Sequence, residues 1–242
     1  MIITRFTVQK DPGGYLDPSS FHDETMAHAI TPNDRTDVEA LLSALRPFAN
    51  LRQRPAALRT VAAFLTIATN EGRALNDYAR ALKKHRAYMS RIVHDLCDLA
   101  RNGGQGLGLI EIREEKRGKR LEILLTDRGR AIAEAMRCQQ MLLALRPFSK
   151  MPPITVRTVT VLLIIAANEG KSPADIARLL KLNRADMSKT IYGLADRKSN
   201  GGPGLGLIQI AEVSMLNQKQ ALFLTNQGRA VVEEMLAPLR SQ

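Results

Sequence analysis

NEGRALNDYARALKKHRAYMSRIVHDLCDLARNGGQGLGLI, residues 70–110, has a near-copy in the same chain, NEGKSPADIARLLKLNRADMSKTIYGLADRKSNGGPGLGLI, residues 168–208. At a constant offset of 98 the two agree at 22 of 41 positions. Self-similarity at a fixed period marks a duplicated structural unit. The likeness extends outward. LSALRPF ending at Phe48 matches LLALRPF ending at Phe148, and LLTDRGRA (Leu124 to Ala131) matches FLTNQGRA (Phe223 to Ala230). The chain therefore divides into an arm over residues 1–35 and two units, 36–138 and 139–242.

Within one unit the apolar spacing and the caps predict an order of elements. Thr36 and Glu39 read as a capping box ahead of Val38, Leu41, Leu42 and Leu45 at helical spacing. Pro47 ends that helix. A second helix spans Leu58 to Thr69, or Val156 to Ala167, with Gly72 or Gly170 as its C-cap. In the second copy Ser172, Pro173 and Asp175 supply an N-cap, a proline at the first helical position and an acid two residues on. Ile176, Leu179 and Leu180 form the inner face of that short helix. After a tight turn a further helix begins near Arg86 or Arg184. Two short helices joined by a few residues make the helix-turn-helix arrangement, whose second member enters the major groove of DNA.

Four glycines in seven residues of NGGxGLG cannot belong to a helix interior. Leu109 to Ile112, a polar tip and Leu121 to Leu125 then read as a β-hairpin. Thr126 or Thr225 caps a last helix carrying Ala131, Ile132, Ala135 and Met136. No proline and no further glycine interrupts Gly129 to Arg146. The last helix of the first unit is therefore expected to run directly, or nearly so, into the first helix of the second. Residues 1–35, with Pro12, Gly13, Gly14, Pro18 and Pro32, read as a flexible arm with a short strand at Ile2 to Val8.

Helix, helix, helix, recognition-type helix, hairpin, helix is the order of a winged helix-turn-helix. At this point the sequence resembles the MarR family of bacterial transcription regulators. The residues that carry the resemblance are Met89 to Val93 (MSRIV), Gly108 to Arg113 (GLIEIR), the basic stretch Lys116 to Arg120 and Ile123 to Ile132 (ILLTDRGRAI), with MSKTI, GLIQIA and LFLTNQGRAV in the second copy. The resemblance implies a mainly α fold with small β-hairpins, here as tandem winged units. Members of that family pair as homodimers through their terminal helices. The fused chain is thus expected to be a single-chain pseudo-dimer. The chain departs from the family in its fused copies, its longer glycine loop and its second wing, Val213 to Gln220, with Lys219 as its one basic residue. The resemblance also raises a small-molecule effector and redox sensing through Cys97 or Cys138.

Composition sets the outer limits. The 242 residues carry 35 Lys plus Arg against 24 Asp plus Glu, a formal charge of +11. The arm contributes −2 and the units +7 and +6. Such basicity favours polyanionic partners, nucleic acid first. Trp is absent and aromatic residues make up 4 %, which argues against aromatic platforms for single strands. Two cysteines cannot build a disulfide framework or a four-ligand zinc site, and a reducing cytoplasm is expected. His22, His28, His85 and His94 do not have metal-ligand spacing. The longest largely apolar run, Val159 to Ala167, is nine residues long, against the roughly 20 a membrane helix needs. No nucleophile motif or carboxylate pair suggests an enzyme, and no cofactor is expected. The glycine loop lies between helix and strand, the reverse of a phosphate cradle.

Candidate DNA contacts follow from the recognition helices, expected over about 85–99 and 183–197. Arg86, Ser90 and Arg91 in the first copy correspond to Arg184, Ser188 and Lys189 in the second. Arginine suits bidentate contact with guanine, and lysine and serine suit phosphates. Lys83, Lys84 and Lys181 fall at the turn. His85 aligns with Asn183 and Tyr88 with Asp186, so the two halves would read unequal half-sites. Arg117, Lys119 and Arg120 on the first hairpin are candidates for phosphate or minor-groove contact, and Lys219 is their counterpart. Met89 and Met187 read as core. The expected function is sequence-specific binding of double-stranded DNA, with transcriptional regulation as its purpose. The alternatives are an accessory DNA-binding role in replication, partition or conjugation of a mobile element, and a module that binds a protein partner.

Overall fold

The computed structural model describes residues 32–49, 56–98, 106–114, 121–196, 201–212 and 220–240. The arm up to Thr31 and both hairpin tips lie outside them. Helix α1 spans Pro32–Leu45 and a 3-10 turn follows at Arg46–Phe48. Next come α2 (Leu58–Thr69), α3 (Leu75–Ala81), α4 (Arg86–Leu96), β1 (Ile110–Glu114), β2 (Leu121–Leu125) and α5 (Asp127–Ala135). The series resumes with α6 (Cys138–Ala144), a 3-10 turn at Arg146–Lys150, α7 (Val156–Ala167), α8 (Pro173–Leu180) and α9 (Arg184–Leu194). Strands β3 (Ile208–Ala211) and β4 (Ala221–Leu224) and helix α10 (Asn226–Arg240) close the chain. The molecule is mainly helical with two small antiparallel hairpins. The order of α2 to α5 recurs in α7 to α10.

Most elements fall where their spacing puts them. Three differ. The capping box expected at Thr36 does not start a helix, because α1 begins a turn earlier at Pro32. Proline suits that position, since its fixed φ is already helical and its missing N–H has no partner there anyway. The C-caps of α2 and α7 are Asn70 and Asn168 rather than the glycines. Gly72 and Gly170 lie two residues further on with φ of 83° and 81°, left-handed values that suit glycine. The continuous helix expected across Gly129 to Arg146 is broken. Arg137 adopts a left-handed φ of 45° between α5 and α6, whereas the matching stretch of the second half stays helical through α10.

That break turns α6 onto the other half. α6 packs on α2, and α1 packs on α7, so each leading helix lies against the second helix of the opposite half. α10 lies against both α1 and α6. Val38, Leu41, Leu45, Phe48, Met141, Ala144 and Phe148 are buried by this exchange, and Phe48 meets Phe64 with ring centroids 5.5 Å apart. The starts of α2 and α7 also meet directly. Ala57 and Thr155 form an antiparallel bridge. The Leu58 N–H donates to Ile154 O at 3.1 Å, and the Val156 N–H donates to Ala56 O at 2.9 Å. At the offset of 98, Ala57 is the counterpart of Thr155 and Leu58 that of Val156. Equivalent residues face each other, as in an isologous contact about a two-fold axis. Pro32–Gln242 form one compact unit.

Each hairpin is held at its base. Ile110 pairs with Leu125 and Ile112 with Ile123 in the first, and Ile208 with Leu224 in the second. Thr126 and Thr225 accept hydrogen bonds from the N–H groups of Gly129 and Gly228, each at 3.0 Å, and so cap α5 and α10 as expected. Both hydroxyls also donate at 2.7 Å to glycine carbonyls, Gly108 O and Gly206 O. The first helical turn thereby lies on the loop that precedes the hairpin. A Cβ on Gly129 or Gly228 would fall 1.9 Å from the carbonyl oxygen of Leu109 or Leu207. Only glycine fits. The glycines of the GLGLI segment answer a similar need, since a Cβ on Gly106 or Gly204 would fall 1.8 Å from a carbonyl at the end of α4 or α9.

Two glycine substitutions should therefore have opposite signs in urea denaturation. Gly228→Ala forces backbone apart and is expected to cost about 3 kcal/mol or more. Gly193→Ala, where a Cβ meets nothing within 4 Å, should stabilise α9 by about 0.5–1 kcal/mol. Equal losses for both would contradict this packing.

Candidate nucleic-acid interface

Helix α4 divides cleanly. Met89, Ile92, Val93 and Leu96 are buried against the body of the half, as Met187, Ile191 and Leu194 are in α9. The opposite faces are open. Arg86, Ala87 and Arg91 are exposed on α4, and Arg184, Ala185, Ser188 and Lys189 on α9. His85, Lys83 and Lys84 are exposed ahead of α4, and Lys181 and Asn183 ahead of α9. The structure thus brings most of the sequence-derived candidates onto one surface in each half. Arg117, Lys119, Arg120 and Lys219 lie outside the described residues.

Lysine occupies a left-handed conformation in both turns. Lys83 and Lys181 have φ of 52°, a conformation that costs a side-chain-bearing residue roughly 1–2 kcal/mol. The turn reverses tightly there, with the Lys84 N–H donating to Ala79 O at 2.8 Å and the Leu182 N–H to Ala177 O at 2.9 Å. Asn or Gly would be the usual occupant, so the charge is carried at a conformational cost.

Two candidates have other work. Asn183 caps α9, accepting from the Asp186 N–H at 2.8 Å and donating to its carboxylate at 3.1 Å. Tyr88 is half-buried beneath the guanidinium of Arg59, 5.1 Å from the ring centroid. Ser90 is half-buried beside His94. In the first half Arg86, Ser90 and His94 form one wall of a groove of about 690 Å³, and Ile112, Leu121 and Ile123 of the hairpin face them. Helix and hairpin therefore stand side by side, and a ligand along α4 also reaches β1 and β2.

The hairpin is fixed to the helices by a repeated ion pair that sequence reasoning missed. Glu71 accepts from the Leu125 N–H at 2.9 Å and from both terminal nitrogens of Arg130 at 2.7 Å. Glu169 accepts from the Leu224 N–H and from Arg229, each at 2.7 Å. One carboxylate thus joins the turn after α2 or α7, the end of the hairpin and the last helix. The signal was present, because NEG and T-x-x-G-R recur together in both copies. Burial pushes the Glu71 carboxyl up, but hydrogen bonds from Arg130 and Leu125 and the Arg130 charge outweigh it and hold it below its ordinary range. Arg130 is raised in turn by its bond to Glu71. Burial first, then the charge of Asp98, pushes the Cys97 thiol up to about 11. Burial also raises Cys138. Neither thiol is a ready thiolate near neutrality.

Among the described residues no cluster of three or more His, Cys, Asp or Glu could hold a metal ion. Among them also, no helix is long and apolar enough to cross a membrane. Taken together, fold and surface define a mainly helical protein with two small antiparallel hairpins, in which a helix with an exposed basic face recurs in both halves. No protein-family model and no curated protein matches the chain. Three solved chains match it. One, described as "Structure of Disulfide formed AbfR", shares 20% identity over 50% of this chain and 81% of that one, with a TM-score of 0.29. That is a loose likeness.

Two measurements check this geometry. Lys181→Ala and Lys181→Gly remove the same charge, but only glycine relieves the left-handed strain, so Lys181→Gly should be the more stable by about 1 kcal/mol. The Glu71 carboxyl is lowered in the folded chain, so its contribution is present above the ordinary carboxylate range, about 4.3, and is lost as pH falls through the folded value. Urea midpoints of the parent should drop across that window, and those of Glu71→Gln should start lower and change less.

Proposed function

We propose that the chain is a sequence-specific double-stranded DNA-binding protein, a cytoplasmic transcriptional regulator of the MarR type, and a binding protein rather than an enzyme. It consists of two winged helix-turn-helix units fused into a single-chain pseudo-dimer. α4 and α9 are its recognition helices and the hairpins its wings. One observation carries this reading. The same exposed, basic second helix of a helix–turn–helix pair stands in both halves, and the halves meet through a bridge in which equivalent residues face each other. Such symmetry suits a duplex, whose major groove returns to one face every turn, about 34 Å along the axis. The basic turns at Lys83, Lys84 and Lys181 suit phosphates, and Arg86 and Arg184 at the helix starts suit base edges.

The two faces are unequal. His85 and Tyr88 in the first half are replaced by Asn183 and Asp186 in the second, and Arg91 by Lys189. The first hairpin tip is also far more basic than the second. We therefore expect a site with unlike halves, the first held more tightly.

Selection of duplexes from a random pool, followed by footprinting and titration at several salt concentrations, tests the proposal. Affinity should fall steeply with salt, since each phosphate neutralised contributes about 0.9 to the logarithmic slope. Lys84→Ala and Lys181→Ala should each lower that slope by about one. Arg86→Ala should cost about 1–3 kcal/mol and relax preference at one base pair. Failure to retard any duplex, or a flat salt response, would overturn the reading.

A further inference from the structure

Arg59 and Arg157 occupy equivalent positions, 98 residues apart, each the second residue of its helix. Each lies two residues beyond the Ala57–Thr155 bridge. Each also reaches a DNA-facing helix, at equivalent positions and by unlike chemistry. The Arg59 guanidinium lies over the Tyr88 ring at 5.1 Å. Arg157 makes a 2.9 Å ion pair with Asp186. The second link is the more enclosed at its cation, Arg157 being 20% exposed and Asp186 40%. Tyr88 and Asp186 each lie in the first turn of their helix, two residues after Arg86 or Arg184.

We propose that Arg59 and Arg157 are positioning residues that tie the start of each recognition helix to the junction of the halves and so set the separation of the two helices. The proposal rests on the DNA-binding reading for its purpose but not for its geometry. A bridge of two backbone hydrogen bonds, one at 3.1 Å and one at 2.9 Å, fixes where α2 and α7 begin. It does not by itself fix how α4 and α9 lean, because the bridge lies at the starts of α2 and α7 and not on those helices. A cation beside the junction that grips the first turn of α4 or α9 supplies the missing restraint. The unlike partners also predict unlike behaviour. An ion pair with a partly exposed carboxylate is screened by salt, whereas a cation stacked on a ring depends on the ring's face rather than on a second charge.

Spin labels at the exposed, equivalent positions Ala87→Cys and Ala185→Cys, in a chain with Cys97→Ser and Cys138→Ser, report the separation of the helices without DNA. The parent should give one narrow distance distribution. Arg59→Gln, Tyr88→Ala, Arg157→Gln and Asp186→Asn should shift or broaden it, and Arg59→Lys and Tyr88→Phe should restore it. With DNA, the unlabelled full chain is offered duplexes whose half-sites differ in spacing. The parent should prefer one spacing, and Arg157→Gln should lose at least three-fold of that preference. An unchanged distribution, with uniformly weaker binding at every spacing, would make the two arginines phosphate contacts and overturn the proposal. If the parent bound no duplex, the DNA reading would fail, while the distance measurement would still decide the positioning role. Urea midpoints of each variant separate unfolding from repositioning.

Discussion

The carboxylates of Glu71 and Glu169 are where three parts of each half are joined. Each accepts a strand N–H and an arginine from the following helix, so turn, hairpin and last helix are fixed by one side chain. An unpaired polar group at such a place would be costly, and a half-satisfied network is worse than none. Here the network is closed. Its partners come from motifs some 60 residues apart, NEG and T-x-x-G-R, which explains why both were kept in both copies. The glycine of the second motif belongs to the same design, since any side chain there would strike Leu109 O or Leu207 O.

From that joint the exposed basic surface follows. The hairpin base is held beside the turn between α2 and α3, through the Gly72 N–H to Ile123 O at 3.0 Å and the Ile123 N–H to Arg73 O at 3.2 Å. The same bonds recur around Gly170, Leu222 and Lys171. α4 and α9 then bury their Met, Ile and Leu face and present the other to solvent. Basic groups gathered on that face repel one another unless a polyanion relieves them, a strain the chain carries together with the left-handed lysines at the turns.

Several features were legible in residue order because they are local. The spans of α2 and α7, the Ser172–Pro173–Asp175 start of α8, the threonine caps of α5 and α10 and the buried Met89 and Met187 depend on neighbours a few residues away. Two departures have different causes, one local and one long-range. Pro32 took the start of α1 from Thr36, and Arg137 entered a left-handed conformation that nothing in its own residue type favours. That break lets α6 turn back onto α2, and the packing of Met141, Ala144 and Phe148 offsets the conformational cost. Only contacts distant in sequence could reveal it.

By itself the sequence determined that there are two like units, which elements each contains and that both are basic, because repeats, caps, periodicity and charge are written one residue after another. Only the tertiary structure decided how the units meet. The exchange of leading helices, the bridge between Ala57 and Thr155, and the different partners of Arg59 and Arg157 all join residues far apart in the chain. The reason is physical. Side-chain chemistry states what a residue can bind, but the partner it finds depends on which surfaces the whole chain buries together. Asn183 could bind a base edge and Tyr88 could stack on one. In the folded chain the first caps α9 and the second lies beneath an arginine.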